Sequence, residues 1–175
     1  MNFNKSVFIT GGAGYCGSKL VPQLLEAGYK VTVFDLMYFG SNFLPKSNEN
    51  LKIIKGDIRD TDLIFKSCQK HDFFVSLACI SNDASFELNE NLSTSVNLKA
   101  FEPMVLAAKK AKVKRFIYAS SSSVYGVSEA KDVKEDHPLV PLTLYNKYKG
   151  ECEPILLNHT DENFEGVVEE LTQRM

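Results

Sequence analysis

Thr10-Gly11-Gly12-Ala13-Gly14-Tyr15-Cys16-Gly17 stands between a short β-branched and aromatic run, Ser6 to Thr10, and a helix-like segment, Ser18 to Ala27. The stretch satisfies GxGxxG from Gly12 and GxxGxxG from Gly11. Small residues meet three needs at such a place. The chain turns sharply, its backbone approaches a pyrophosphate, and the helix packs tightly on the strand. Free N–H groups at the helix start then face the phosphates, aided by the helix dipole. A glycine motif alone is weak evidence, because glycine-rich turns also arise for structural reasons. The strand before it and the helix after it give it meaning.

Lys30 to Asp35 reads as the next strand, with Val31, Val33 and Phe34 apolar. Asp35 falls close to the roughly 20-residue offset expected of a carboxylate on the ribose hydroxyls. Its charge would repel the 2′-phosphate of NADP, and no arginine follows in the next turn. The pair of features therefore points to NAD. The plainer alternative for Asp35 is a strand-end aspartate that caps a turn.

The rest of the chain alternates in the same way. Leu51 to Lys55 is a third strand, and Thr61 to Lys70 a short helix behind an Asp60 cap. Asp72 to Cys79 is a fourth strand, apolar nearly throughout, as a strand covered on both faces should be. Asn89 to Lys112 is one long helix, which Pro103 should kink or shorten. Lys114 to Ala119 is a fifth strand, with Ser120 to Ser123 at its end. Val124 to Leu142 is a loop, and Thr143 to Leu157 the last helix. A sixth strand belongs at Phe164 to Val168, while Glu169 to Met175 reads as a polar tail. This alternation predicts an α/β fold, a Rossmann-like doubly wound parallel sheet with helices on both faces. Residues 1–160 are expected to form the dinucleotide-binding domain, and 161–175 an incomplete sixth-strand region and tail.

Bulk properties narrow the function. The 175 residues suit one domain, and 44% hydrophobic with 24% charged residues is an ordinary globular balance. A formal net charge of −2 gives no reason to expect nucleic acid or an anionic membrane as partner. Cys16, Cys68, Cys79 and Cys152 show no CxxC spacing, and His71, His137 and His159 are scattered. No metal site is expected, and reduced thiols in the cytoplasm are. Apolar stretches such as Phe73 to Ile80 are too short to span a bilayer. The N-terminus shows no signal-peptide pattern.

Tyr145 and Lys149 lie four residues apart on the last helix, hence on one face. Tyrosine, with a pKa near 10, is a poor base at neutral pH. A neighbouring ammonium, together with a positive nicotinamide, favours the phenolate. Reaching pKa 7 takes about 4 kcal/mol of differential stabilisation. Such a pair can draw a proton from a substrate hydroxyl while hydride leaves for the cofactor. Tyr/Lys pairs also decorate surfaces. The serines at the end of the preceding strand add weight, because ligands of such sheets bind there. Ser121 is the candidate to hold the substrate oxygen; the plainer alternative for Ser120 to Ser123 is a polar turn. Gly56-Asp57-Ile58 offers an acceptor for the adenine amine and an apolar flank for its ring. A simple turn accounts for the same residues.

Taken in order, these pieces resemble the extended short-chain dehydrogenase/reductases, specifically the nucleotide-sugar epimerases and dehydratases. The resemblance rests on residues 10–17, Asp35, Gly56-Asp57-Ile58, Leu77-Ala78, Ser120 to Gly126, Pro141 and Tyr145-Asn-Lys-Tyr-Lys149, and covers residues 5 to 157. It implies NAD as cofactor and a nucleotide sugar as substrate, oxidised at a ring carbon and later reduced again. Gly11, Gly14, Tyr15, Cys16 and Gly17 would line the pyrophosphate. Leu77, Ala78 and Cys79 would lie where the chain passes the cofactor. Ser121 would be the catalytic serine, Tyr145 the general base, and Lys149 its pKa partner and a ligand of the nicotinamide ribose. Pairing of two copies through the long helix and the Tyr/Lys helix is implied as well.

Three departures matter. Ser122 and Ser123 stand where the 4,6-dehydratases carry acidic residues, which favours epimerase- or reductase-type chemistry. Ser76 stands where many members have histidine. The family's C-terminal sugar-nucleotide domain has no counterpart in these 175 residues, so a frameshift or premature stop is one expectation. An NAD-binding module without turnover is therefore the alternative to an enzyme. A dinucleotide-sensing regulator is a third, against which the Tyr/Lys pair counts.

Overall fold

The computed structural model describes residues 5–128 and 132–171. Six strands form one sheet: β1 (Ser6–Thr10), β2 (Lys30–Asp35), β3 (Leu51–Lys55), β4 (Phe73–Ser76), β5 (Arg115–Ser121) and β6 (Glu165–Leu171). Their spatial order is β3-β2-β1-β4-β5-β6, and every pair is parallel. The order reverses between β1 and β4. The crevice beyond the carboxyl ends of that pair is where doubly wound sheets bind ligands. The Rossmann-like fold expected from the alternating pattern is therefore present.

Alternate residues of each strand enter two cores. Phe34, Phe8, Phe74 and Phe116 each lie fully buried, one per strand from β2 to β5. Their rings form a row across one face, with centroids 5.7, 5.0 and 4.6 Å apart. Ile64 of α2 (Thr61–Cys68), Met104 and Val105 of α5 (Phe101–Lys110) and Leu156 of α6 (Leu144–Asn158) cover that row. Val7, Ile9, Val31, Val33 and Val75 form the other face, under Val21 of α1 (Tyr15–Glu26). β-branched residues suit such a doubly covered parallel sheet.

Several boundaries differ from expectation. α1 starts at Tyr15 rather than Ser18, so the glycine loop is only one turn long and Gly17 lies inside the helix. β4 stops at Ser76 rather than Cys79, because Leu77 to Cys79 leave the sheet toward the crevice. The long helix is three segments: α4 (Glu90–Thr94), a π-helical turn (Ser95–Lys99) and α5. Ala100 N donates to Ser95 O, the i→i−5 bond of that turn. Pro103 falls in the first turn of α5, where a missing N–H is tolerated. A five-residue helix, α3 (Asp83–Glu87), lies between β4 and α4, and a 3-10 turn (Ser122–Tyr125) follows β5. Glu169 to Leu171, read as tail, pair with Ala119 to Ser121 as the end of β6. Residues 172–175 of that tail lie outside the described residues.

Candidate functional site

The glycine loop is shaped by contacts that forbid side chains. Gly11 has φ +74°, and a Cβ there would stand 2.6 Å from Ala78 N and 2.7 Å from its Cα. A Cβ on Gly17 would run into the Gly12 carbonyl. Gly14 N donates to Gly11 O at 3.1 Å, closing the loop in one turn. Gly14 is the N-cap of α1, has no side chain to cap with, and is followed by no acid in the first turn. The other helices that start from loops have side-chain caps: Asp60, Asn82, Asn89 and Thr143 each accept a backbone N–H. The opening amides of α1 are thus left for an anionic partner, the arrangement a diphosphate needs. Tyr15 and Cys16 lie exposed on this first turn.

Asp35 ends β2 beside the loop. Its Oδ2 accepts from Ala13 N at 3.1 Å and its Oδ1 from Met37 N at 2.8 Å. The carboxylate therefore ties the glycine loop to the β2–β3 connection: its bond from Met37 N is the turn cap that the sequence offered, and its bond from Ala13 N is legible only in the fold. Asp57 meets the guanidinium of Arg59 through both oxygens, and Arg59 Nη1 donates to Ser95 Oγ at 3.2 Å. That charge-assisted pairing with Arg59 holds the Asp57 carboxyl below its ordinary pKa, against the opposing effect of burial. Ile58 is buried next to it. Leu77 N donates to Thr10 O, and Ala78 supplies the backbone on which Gly11 rests.

At the carboxyl end of β5, Ser121 Oγ and Ser123 Oγ lie 2.7 Å apart, and Ser123 donates onward to Asn146 Oδ1 at 2.7 Å. This chain links Ser121 to α6. Lys149 is buried on α6, donates from Nζ to Ala119 O at 2.6 Å, and lies 5.9 Å from the Tyr145 ring centroid. Among the chain's own groups, burial pushes the Tyr145 phenol above its ordinary pKa, and the Cys79, Asp83 and Cys16 side chains push it further. The Lys149 ammonium donates to the Ala119 carbonyl.

Two residues of this region escaped the sequence reading. Asn97, in the π-helical turn, accepts from Ile80 N at 2.8 Å and donates to Ile80 O at 2.9 Å, clamping the chain just after Cys79. Its signal was a poor helix former in mid-helix. Asp83 accepts from the Thr143 hydroxyl and so joins α3 to the start of α6. A cleft of about 500 Å³, lined by Lys30, Thr32, Lys52 and His71 among others, opens at the amino ends of the strands, away from the glycine loop.

A parallel sheet with this switch point and an uncapped, glycine-lined helix start defines a dinucleotide-binding Rossmann-type chain. Comparison with known proteins agrees. The profile of the NAD dependent epimerase/dehydratase family matches residues 7–170, and the chain belongs to that family. NAD, the expected cofactor, is accordingly the cofactor of the family. Putative UDP-arabinose 4-epimerase 2 of Arabidopsis thaliana is 29% identical over 177 residues, covering 93% of this chain and 41% of that protein. Among solved structures, a UDP-N-acetylglucosamine 4-epimerase of Methanobrevibacter ruminantium M1 superposes with a TM-score of 0.87 at 29% identity, over 95% of this chain and 54% of that one. DesIV of Streptomyces venezuelae, a dTDP-glucose 4,6-dehydratase with NAD bound, gives a TM-score of 0.85 at 26% identity, over 93% of this chain and 54% of that one. The chain spans about half the length of the relatives it matches. No helix among the described residues is long and apolar enough to cross a membrane.

Proposed function

We propose that this chain binds NAD across the β1/β4 crevice and carries the oxidising half of an epimerase-type reaction on a nucleotide sugar. The observation behind this reading is the uncapped start of α1 in the same crevice as Tyr145, whose phenol feels both Cys16 of α1 and Cys79 after β4. Gly11, Gly14, Tyr15, Cys16 and Gly17 would hold the diphosphate, Asp35 the adenosine ribose, and Asp57 with Ile58 the adenine. Leu77, Ala78 and Cys79 would flank the nicotinamide half. NAD supplies, when bound, a hydride acceptor and a positive charge near Tyr145.

Tyr145 Oη takes the proton of a substrate hydroxyl, and Ser121 Oγ holds the same oxygen, oriented through Ser123 and Asn146. Lys149 carries three donors, of which the Ala119 carbonyl takes one. The others would serve the ribose hydroxyls and the phenol. Ser122 and Ser123 stand where the 4,6-dehydratases carry the acids that eliminate water. That favours epimerisation over dehydration.

Titrating NAD against the purified chain tests the first half of this reading, and adding UDP- or dTDP-sugars while following absorbance of the reduced cofactor tests the second. Asp35→Arg should weaken NAD by about 10- to 100-fold, the worth of a charge-assisted hydrogen bond. The same change removes the acceptor of Ala13 N and Met37 N. Equal affinity in the variant and the parent would refute the ribose assignment. Tyr145→Phe should leave NAD binding nearly intact and lower any sugar-dependent signal by about 10²- to 10⁴-fold. Undiminished turnover would remove Tyr145 as the base. A second reading, an NAD-binding module without turnover, is favoured by the burial of the Tyr145 phenol, which opposes the phenolate. NAD binding with no sugar-dependent change would select it.

A further inference from the structure

Lys149 is a buried cation, and among the described residues no ion pair includes it. An ammonium taken out of water is costly unless other groups replace its hydration. Glu153 stands one turn further along α6, but its carboxyl accepts from the Ser120 hydroxyl, and burial pushes it above the ordinary carboxylate range. Two consecutive residues of β5 surround the Lys149 head instead. The Ala119 carbonyl accepts from Nζ at 2.6 Å, and Nζ lies over the Tyr118 ring, 4.9 Å from its centroid. The face of an aromatic ring carries negative charge and attracts a cation at that range, most strongly where water is excluded. The Tyr145 ring is farther away, at 5.9 Å. Tyr118 is also held in place from several directions. Its backbone lies in register with Ser76 of β4 and Val168 of β6. Its ring is buried and packs on Phe101 of α5, with centroids 4.5 Å apart and planes at 57°. Its hydroxyl donates to Lys149 O at 3.4 Å, so one side chain touches both the backbone and the head of Lys149. Burial pushes the phenol well above its ordinary pKa, which keeps the ring uncharged near neutral pH.

We propose that Tyr118 is a positioning residue for the nicotinamide half of NAD: the face of its ring, together with the Ala119 carbonyl, holds the Lys149 ammonium in place and leaves its other donors to the nicotinamide ribose. The inference rests on the reading of Lys149 given above, as a ligand of that ribose. The choice of an aromatic ring has a chemical reason. A carboxylate at the same place would form a charge-assisted hydrogen bond with the ammonium and draw its donors away from the crevice. A ring face attracts the charge as a whole and takes up no lone-pair bond. The ammonium therefore stays charged in the core, with one donor on Ala119 and two to spare. Phe101 completes the mount, because it stops the Tyr118 ring from turning away beneath the cation.

The test uses the full chain and two ligands, NAD and ADP, with affinities from calorimetric titration. ADP has the adenosine and the diphosphate but lacks the nicotinamide ribose, so it reports on the crevice without the Lys149 contact. Three kinds of variant are compared with the parent: Tyr118→Phe, Tyr118→Leu, and chains with phenylalanines of increasing fluorine content at position 118. Fluorine drains the negative ring face and nearly preserves the ring's shape. Tyr118→Phe should keep both affinities within about twofold, and Tyr118→Leu should weaken NAD about tenfold while ADP stays within about twofold. The fluorinated series should weaken NAD stepwise with fluorine content and leave ADP unchanged. A series that is flat for NAD overturns the proposal. So does a Tyr118→Leu chain that loses NAD and ADP equally, the behaviour of a core residue with a purely structural role. If Tyr118→Leu fails to fold, the fluorinated series decides alone. A parent chain that binds neither ligand sinks the functional reading itself, and this inference with it.

Discussion

Gly11→Val is expected to abolish NAD binding and lower the melting temperature together. Two independent effects act at this residue. Its φ of +74° is a left-handed conformation that a β-branched side chain rarely adopts. Restoring an L side chain there costs about 1–2 kcal/mol before any contact is counted. The new Cβ would also stand 2.6 Å from Ala78 N, a backbone atom next to Leu77, whose N–H is held by Thr10 O. A flexible side chain would swing aside, but this one has nowhere to go. The loop must lift off the Leu77–Ala78 segment, taking the opening amides of α1 with it. Calorimetric titration with NAD and thermal unfolding check both halves. A variant that keeps parental affinity and melting temperature would show that the loop does not rest on Ala78 as described.

The second large effect belongs to the core. Phe116→Ala should destabilise the chain by about 3–5 kcal/mol, a large share of the 5–15 kcal/mol typical of a whole domain. Phe116 is fully buried, stacks on Phe74 at 4.6 Å and 11°, and meets Phe101 edge-on at 6.0 Å. Phe164, just before β6, touches it as well, at 6.3 Å. Removing the ring leaves a hole bounded by rigid rings on several sides, so little collapse can fill it. Denaturant unfolding gives the number. A loss under about 1 kcal/mol would mean that the row of phenylalanines repacks freely, against the close packing expected of protein interiors.

Much of this architecture was legible before any coordinates. β1, β2 and β3 fall on their expected residues, because each is a short apolar run closed by turn residues. The Asp60 cap was readable from its type and place, and its side chain does accept from Leu63 N. What escaped has physical reasons. The π-helical turn depends on Asn97 reaching across to Ile80, a contact 17 residues away that no local period encodes. α3 and α4 have five residues each, too few for periodicity, although Asn82 and Asn89 signal their caps. Glu169 to Leu171 looked like tail because polar side chains dominate. An edge strand pairs through its backbone and leaves such side chains in solvent.

The candidate site shows the same division. Spacing put Tyr145 and Lys149 on one helical face. It did not say that the ammonium turns to the Ala119 carbonyl, which depends on how α6 lies against β5. Likewise, the distance from the glycine loop to Asp35 suggested a sugar contact. Only the folded chain shows the same carboxylate bracing the loop through Ala13.

The bare opening of α1 ties the cofactor to folding itself. A helix that lacks a cap of its own borrows one from solution, and the loan is repaid whenever the dinucleotide departs. Stability then grows with the logarithm of ligand concentration relative to its dissociation constant. In a cell, the lifetime of this polypeptide against proteolysis would follow the size of the dinucleotide pool, making its abundance a record of redox nutrition.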